Sequence, residues 1–345
     1  MRLKYHPDIQ YYNSGGPSGD PFRDAYTFIA GMGFIPEDPI EREKRMLRRQ
    51  SAVLAMAMFM FLFVGWGSQM NFLYRIILHN ASLSAQYIYS IIVSAMAFSA
   101  AIFFATLLTR MPRFAAFPVK KPDFGMTASA CVILLAASVV GNLTYRLLAW
   151  LLSLIHISPQ QTAVPLPGTA MEKVLYVLMV CLLPAIFEEL FFRGIVMQSL
   201  RPYGDGFAIL VSSVLFALLH GNLVQIPNAL LCGLVLGYFA IRSGNVVTAM
   251  IMHFVYNFIS TLPLLIPLDQ YLKGLLTGAG MAVALVGALV CIFFLLRQRK
   301  NMFYIAPAQT ALKERKKHST FYSTPIMIAL LVVLIIKVIM NIEVV

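Results

Sequence analysis

Nine apolar segments separated by polar stretches dominate the chain from residue 52 onward. A membrane-spanning helix needs about 20 mostly apolar residues, and the repeated pattern therefore predicts an all-α fold, a polytopic transmembrane helical bundle. Two of the segments are short and nearly adjacent, so we expect eight or nine spans, with nine as the best count. The segments cover residues 52–77, 87–109, 126–155, 172–198, 207–221, 224–241, 246–266, 275–296 and 326–342.

Composition supports a membrane protein. Of the 345 residues, 59% are hydrophobic and 12% are charged, whereas soluble domains carry about 25% charged residues. The net charge of +12 would suit a nucleic-acid partner, but the basic residues cluster at the edges of the apolar segments. Lys and Arg at such edges orient helices in the lipid bilayer, so we expect no nucleic-acid partner.

The basic clusters alternate along the chain in the way that the positive-inside rule requires. They precede the first segment, follow the second, end the fourth, follow the sixth and lie between the eighth and the ninth. With nine spans, this alternation predicts a cytosolic N-terminus and a C-terminus on the opposite side of the membrane.

The fourth segment contains two adjacent acidic residues, Glu188 and Glu189, followed by Arg193. Ionised side chains inside a membrane are costly and usually have a function. Glu189 and Arg193 are four residues apart on a helix and can form an ion pair. Glu188 lies about 100° away around the helix, which leaves it free for chemistry. Pro184 precedes Glu188 by four residues and can kink the helix so that water enters.

Two later segments also carry polar residues: His220, one helical turn after Phe216, and His253, one turn before Asn257. Measured from the expected cytosolic boundary at about 1.5 Å per residue, Glu188, His220, His253 and Asn257 lie at depths of ~20, ~21, ~12 and ~18 Å. Polar groups at similar depths on three helices predict an intramembrane polar cavity.

As an ordered set on successive helices, these residues resemble the motifs of the CPBP intramembrane proteases. That family includes type II CAAX prenyl endopeptidases and bacterial relatives linked to bacteriocin processing or self-immunity. The resemblance covers roughly residues 172–262. Its three motifs are Glu188-Glu189-x-x-x-Arg193, Phe216-x-x-x-His220 and His253-x-x-x-Asn257.

The resemblance implies a peptidase in which Glu188 is the general base that activates water. It implies that His220 holds or polarises this water, and that His253 and Asn257 donate hydrogen bonds to the oxyanion of the tetrahedral intermediate. Glu189 and Arg193 would position Glu188 and balance its charge.

The same residues leave the question of a metal open. Glu188, His220 and His253 could ligate zinc, with water as the fourth ligand. The chain has no His-Glu-x-x-His motif, and asparagine is a poor zinc ligand. We therefore expect a metal-free reaction without a cofactor, and zinc is the alternative.

The resemblance also implies the substrate class, a membrane-associated protein or peptide, with prenylated CAAX proteins as one case. Two alternatives stay open: a non-proteolytic bacteriocin-immunity or scaffold protein, and a proton-coupled transporter that uses the buried Glu, Arg and His. The transporter is less favoured because no internal repeat is evident. The sequence does not fix the oligomeric state.

These expectations divide the chain into four parts. Residues 1–50 form a polar cytosolic segment, 51–170 the N-terminal membrane helices, and 171–265 the catalytic membrane core. Residues 266–345 form the C-terminal helices, with a basic cytosolic linker at 297–325. The expected location is the plasma membrane of a bacterium.

Overall fold

We describe a computed structural model of the chain for residues 26–29, 33–69, 78, 80–159, 164–298, 301–305, 307–308 and 310–344. Most of the polar N-terminal segment, residues 1–25, lies outside the described residues, as does the end of the first apolar segment, residues 70–77. Residues 26–29 and 33–36 form a small antiparallel hairpin, β1 (Tyr26–Ile29) and β2 (Gly33–Pro36).

Each of the nine apolar segments contributes a helix, which confirms the all-α membrane fold. Two short helices also lie outside these segments, one between the second and third and one between the eighth and ninth. In chain order the helices are α1 (Pro39–Gln69), α2 (Leu83–Thr109), α3 (Arg113–Ala116), α4 (Phe124–Ser153), α5 (Ala170–Tyr203), α6 (Asp205–Leu219), α7 (Ile226–Ser243), α8 (Val246–Leu265), α9 (Gln270–Gln298), α10 (Glu314–Tyr322) and α11 (Pro325–Ile339).

Within the described ranges, seven helices are long and apolar enough to cross a membrane. The two remaining apolar segments form shorter helices, α6 and α11, each of 15 residues. Helix α11 follows α10 at a bend of 77°, and only the two together are long enough to cross. Strands β3 (Ile157–Pro159) and β4 (Ile342–Val344) pair in antiparallel fashion and join the end of the chain to the connection before α5.

Helix α5 is continuous but contains two π-helical stretches, Leu178–Leu182 and Leu190–Val196. In each stretch an N–H bonds the carbonyl five residues earlier, as in Leu183 to Leu178. Such insertions into α-helices are rare and occur frequently at functional sites. Here they flank the turn that carries Glu188 and Glu189 on both sides.

Helices α6 and α7 pack closely because α7 presents two glycines to its neighbour. A Cβ at Gly233 would lie 3.1 Å from the Ser213 Cβ, and one at Gly237 would lie 3.3 Å from the Ile209 side chain. The Gly-x-x-x-Gly spacing is therefore a helix contact, as such spacing predicts in membranes. The close approach places the Gly233 carbonyl within reach of Arg193 on α5.

Candidate active site

Glu189 and Arg193 form a fully buried ion pair within α5. Arg193 Nη1 lies 2.8 Å from Glu189 Oε1, and both side chains have 0% exposure. Arg193 Nη2 donates to the Gly233 carbonyl of α7 at 3.1 Å. The guanidinium also lies over the Phe216 ring of α6, 4.5 Å from its centroid. The expected i, i+4 pair thus exists, and it ties α5 to two neighbouring helices.

His253 on α8 contacts both glutamates through its two ring nitrogens. Nδ1 lies 2.7 Å from Glu189 Oε1, and Nε2 lies 4.0 Å from Glu188 Oε2. Because the Glu189 oxygen that Arg193 also contacts accepts hydrogen bonds, we assign a proton to Nδ1. A distance of 4.0 Å is too long for a direct hydrogen bond, but a water beside the line that joins the two atoms can lie within hydrogen-bond distance of both.

The division of the glutamate pair matches the helical geometry. Glu189 has no exposed side-chain surface, while the Glu188 side chain is 18% exposed and lines a cavity. This cavity has a volume of about 380 Å³ and lies among α5, α6, α7 and α8. Its wall also includes His220, His253 and Asn257, so the structure brings these four expected residues together.

His220 directly follows the last residue of α6. Its Nδ1 lies 2.9 Å from the Phe216 carbonyl oxygen, and because that oxygen can only accept, Nδ1 carries a proton. In the neutral ring, Nε2 is then an acceptor. The Phe216 ring lies edge-on to both His220 and His253, at centroid distances of 5.0 and 6.1 Å. Phe216 thus separates the two imidazoles and also supports Arg193.

Asn257 on α8 has a partner that sequence spacing does not suggest. Its Nδ2 donates to the Val180 carbonyl at 3.1 Å, in the first π-helical stretch of α5. Pro184, four residues after Val180, has no N–H and cannot supply the α-helical bond to that carbonyl. One amide hydrogen of Asn257 therefore takes its place, and a second amide hydrogen remains for the cavity.

The cavity also exposes polar residues that the sequence motifs do not include. Asn228 on α7 donates to the Tyr256 hydroxyl on α8 at 2.5 Å, and both side chains line the cavity together with Gln225. Tyr256 follows His253 by three residues, so helical periodicity could have placed it on the same face. Asn228 could be found only from the packing of α7 against α8.

The residues proposed as alternative zinc ligands are not grouped as a metal site. Across the ranges that the structure describes, no three His, Cys, Asp or Glu side chains are arranged to hold a metal ion. The Nδ1 protons of His220 and His253 are directed at a carbonyl and a carboxylate, which leaves Nε2 as the nitrogen of each ring that could ligate a metal.

Comparison with known protein families gives a match to the family described as "Type II CAAX prenyl endopeptidase Rce1-like". No curated protein and no solved structure matches the chain. The family match spans residues 170–259, from the start of α5 into α8, and includes all six candidate site residues. The resemblance drawn from the three motifs is thereby confirmed over this range: residues 170–259 are similar to the Rce1-like family of type II CAAX prenyl endopeptidases, within a chain that has the helices of an integral membrane protein.

Proposed function

We propose that the protein is an intramembrane endopeptidase in which Glu188 activates water for attack on a peptide bond. The observation that carries this proposal is the 4.0 Å gap between Glu188 Oε2 and His253 Nε2 at the wall of the cavity. A water that bridges these two atoms from the cavity would contact a base, Glu188, and an imidazole, His253. The matched family is one of proteases, which supports the same reaction class.

The charges of Glu188, Glu189 and Arg193 suggest that His253 acts in its protonated form. Two carboxylates beside one guanidinium leave one negative charge without a partner, and buried charges require partners. His253 contacts Glu189 directly and faces Glu188, so its protonated form makes the cluster neutral. In that form Nε2 also carries a proton and can donate to an oxyanion.

In the proposed reaction, one proton moves from water to Glu188 and then to the leaving nitrogen. Glu188 takes a proton from water as the oxygen of that water adds to the substrate carbonyl carbon. His253 Nε2–H and the second amide hydrogen of Asn257 donate to the oxyanion that forms. Glu188 transfers the same proton to the leaving nitrogen as the C–N bond breaks. His220 Nε2 accepts a hydrogen bond that orients the water.

The substrate is a membrane-associated protein or peptide, and a prenylated CAAX-type chain is the class that the family match favours. The proposed reaction needs no metal. The transporter and the non-proteolytic immunity or scaffold protein find no support in this match, which covers the residues that line the cavity.

The first test is cleavage of a farnesylated CAAX-type peptide and of a panel of membrane-anchored peptides by purified protein in lipid nanodiscs. General acid–base catalysis contributes about 10²- to 10⁴-fold, so Glu188→Gln should reduce the rate by that factor. The substitution keeps the size of the side chain and removes the base. Mass spectrometry of the products identifies the bond that is cut.

The matched control is Glu172→Gln, which changes a carboxylate in the first turn of α5, outside the cavity. It should leave the rate unchanged. Full cleavage by Glu188→Gln would disprove the proposed base. Stoichiometric zinc in the purified protein, with loss of cleavage upon its removal, would replace the metal-free reaction with a zinc-dependent one. Proton flux in liposomes that depends on Glu188 would favour the transporter.

A further inference from the structure

The end of α6, where His220 lies, is held by side chains from the far end of the chain. A helix leaves its last carbonyls without partners inside the helix. Here the Leu219 carbonyl lies 3.5 Å from Lys337 Nζ, and the Gly221 carbonyl accepts from Asn341 Nδ2 at 2.8 Å. His220 therefore sits between two backbone groups that α11 and the residues after it contact.

Lys337 is unusual for its position. It is the one ionisable residue in the fifteen-residue helix α11. An ionisable side chain in an apolar membrane helix is energetically costly and usually has a function. A cation near the end of α6 is stabilised by the negative end of that helix dipole. The Lys337 stem also fits against Gly221, where an added Cβ would lie 2.4 Å from the Lys337 Cδ.

Asn341 connects the two helix ends. Its Nδ2 donates both to the Gly221 carbonyl and to the Lys337 carbonyl, at 2.8 and 3.0 Å. The next three residues form β4, which pairs with β3 before α5. Gly221 itself has a φ of +61°, a left-handed conformation that glycine adopts without strain. The contacts therefore fix a turn of defined geometry to a part of the chain that is itself anchored.

We propose that Lys337 and Asn341 are positioning residues for His220, here called the C-terminal clamp. Both lie outside residues 170–259, the range that the family model matches. The proposal rests on the proposed function in one respect, the role of His220 at the reacting water. The ring of His220 is fixed by its bond to Phe216, and the clamp fixes the backbone that carries the ring.

The test measures His220 directly and does not depend on an identified substrate. Purified protein in nanodiscs is treated with diethylpyrocarbonate, and mass spectrometry gives the modification rates of His220 and His253 separately. Lys337→Met keeps most of the stem and removes the charge, while Asn341→Asp keeps the size and removes the donor. We expect each variant to change the rate at His220 several-fold and to leave the rate at His253 unchanged.

The conservative variant Lys337→Arg should keep the wild-type rate of His220 modification. The matched control is Lys316→Met, which removes an exposed cation of α10 and should also keep that rate. On a peptide that the protein cleaves, the clamp variants should lower kcat roughly tenfold to a hundredfold with KM little changed, because small displacements of a catalytic group have effects of this size. Unchanged modification of His220, or equal changes at His220 and His253, would overturn the proposal. Since the modification needs no substrate, absence of peptidase activity would refute the proposed function without affecting this result.

Discussion

At the scale of single residues, the glutamate pair shows what spacing can and cannot predict. The i, i+4 rule predicts that Glu189 contacts Arg193, and the structure has this pair at 2.8 Å. It cannot predict that His253 bonds Glu189, because that contact joins residues 64 positions apart. Spacing within one helix is local geometry, whereas the partner of a buried charge depends on how helices pack.

The two carboxylates should therefore differ in their effect on stability. Glu189→Gln removes the charge that Arg193 and His253 share, and loss of one partner from a buried pair costs about 3–5 kcal/mol. Glu188→Gln should change the free energy of unfolding much less, since its side chain faces the cavity. Thermal unfolding of both variants in the same detergent compares them. Equal losses of stability would contradict the division between a structural and a catalytic carboxylate.

At the scale of elements, the π-helical stretches of α5 shape the site as much as its side chains do. The sequence predicts a disturbance at Pro184, because proline lacks the N–H that an α-helix uses. It does not reveal the π-helical stretches on either side of Glu188, since these depend on which carbonyls find partners on other helices. Ser212 of α6 donates to the Phe192 carbonyl at 3.0 Å, and Asn257 of α8 donates to the Val180 carbonyl.

The link between Pro184 and Asn257 can be measured by a double-mutant cycle. Asn257→Leu leaves the Val180 carbonyl without its side-chain donor, at a cost of about 1–3 kcal/mol. Pro184→Ala supplies an N–H at residue 184, so Asn257→Leu should cost less in that background. Chemical unfolding in detergent gives the coupling energy, expected at about 0.5–3 kcal/mol. Identical costs in the two backgrounds would show that Asn257 does not replace the missing N–H.

At the scale of the whole molecule, contacts between loops indicate how many helices cross the membrane, because loops in contact lie on the same side. Asn245 Nδ2, between α7 and α8, donates to the Lys120 carbonyl before α4 at 2.6 Å, so both lie on one side. An even number of crossings must separate them. Helices α4, α5 and α7 are long enough to cross, and if all three do so, α6 must cross as well.

The same argument applies to the end of the chain. Strands β3 and β4 pair, and therefore lie on one side of the membrane. If the five helices between them, α5 to α9, all cross, the bent pair of α10 and α11 must supply the sixth crossing. We therefore predict nine crossings in total, with α6, at about 1.5 Å per residue, spanning only ~22 Å in a locally thin bilayer. Segment length alone could not decide this, because it ignores contacts between the loops.

Nine crossings with a cytosolic N-terminus predict a specific pattern of labelling in a cysteine-free background. Leu223→Cys, between α6 and α7, should react with a membrane-impermeant maleimide from outside, and Lys316→Cys should not. If α6 and the bent pair did not cross, both results would be reversed. Leu154→Cys after α4 is the outside control, and Lys121→Cys before α4 is the inside control. Reversed labelling at residues 223 and 316, with correct controls, would leave seven crossings and place the basic linker outside, against the positive-inside rule.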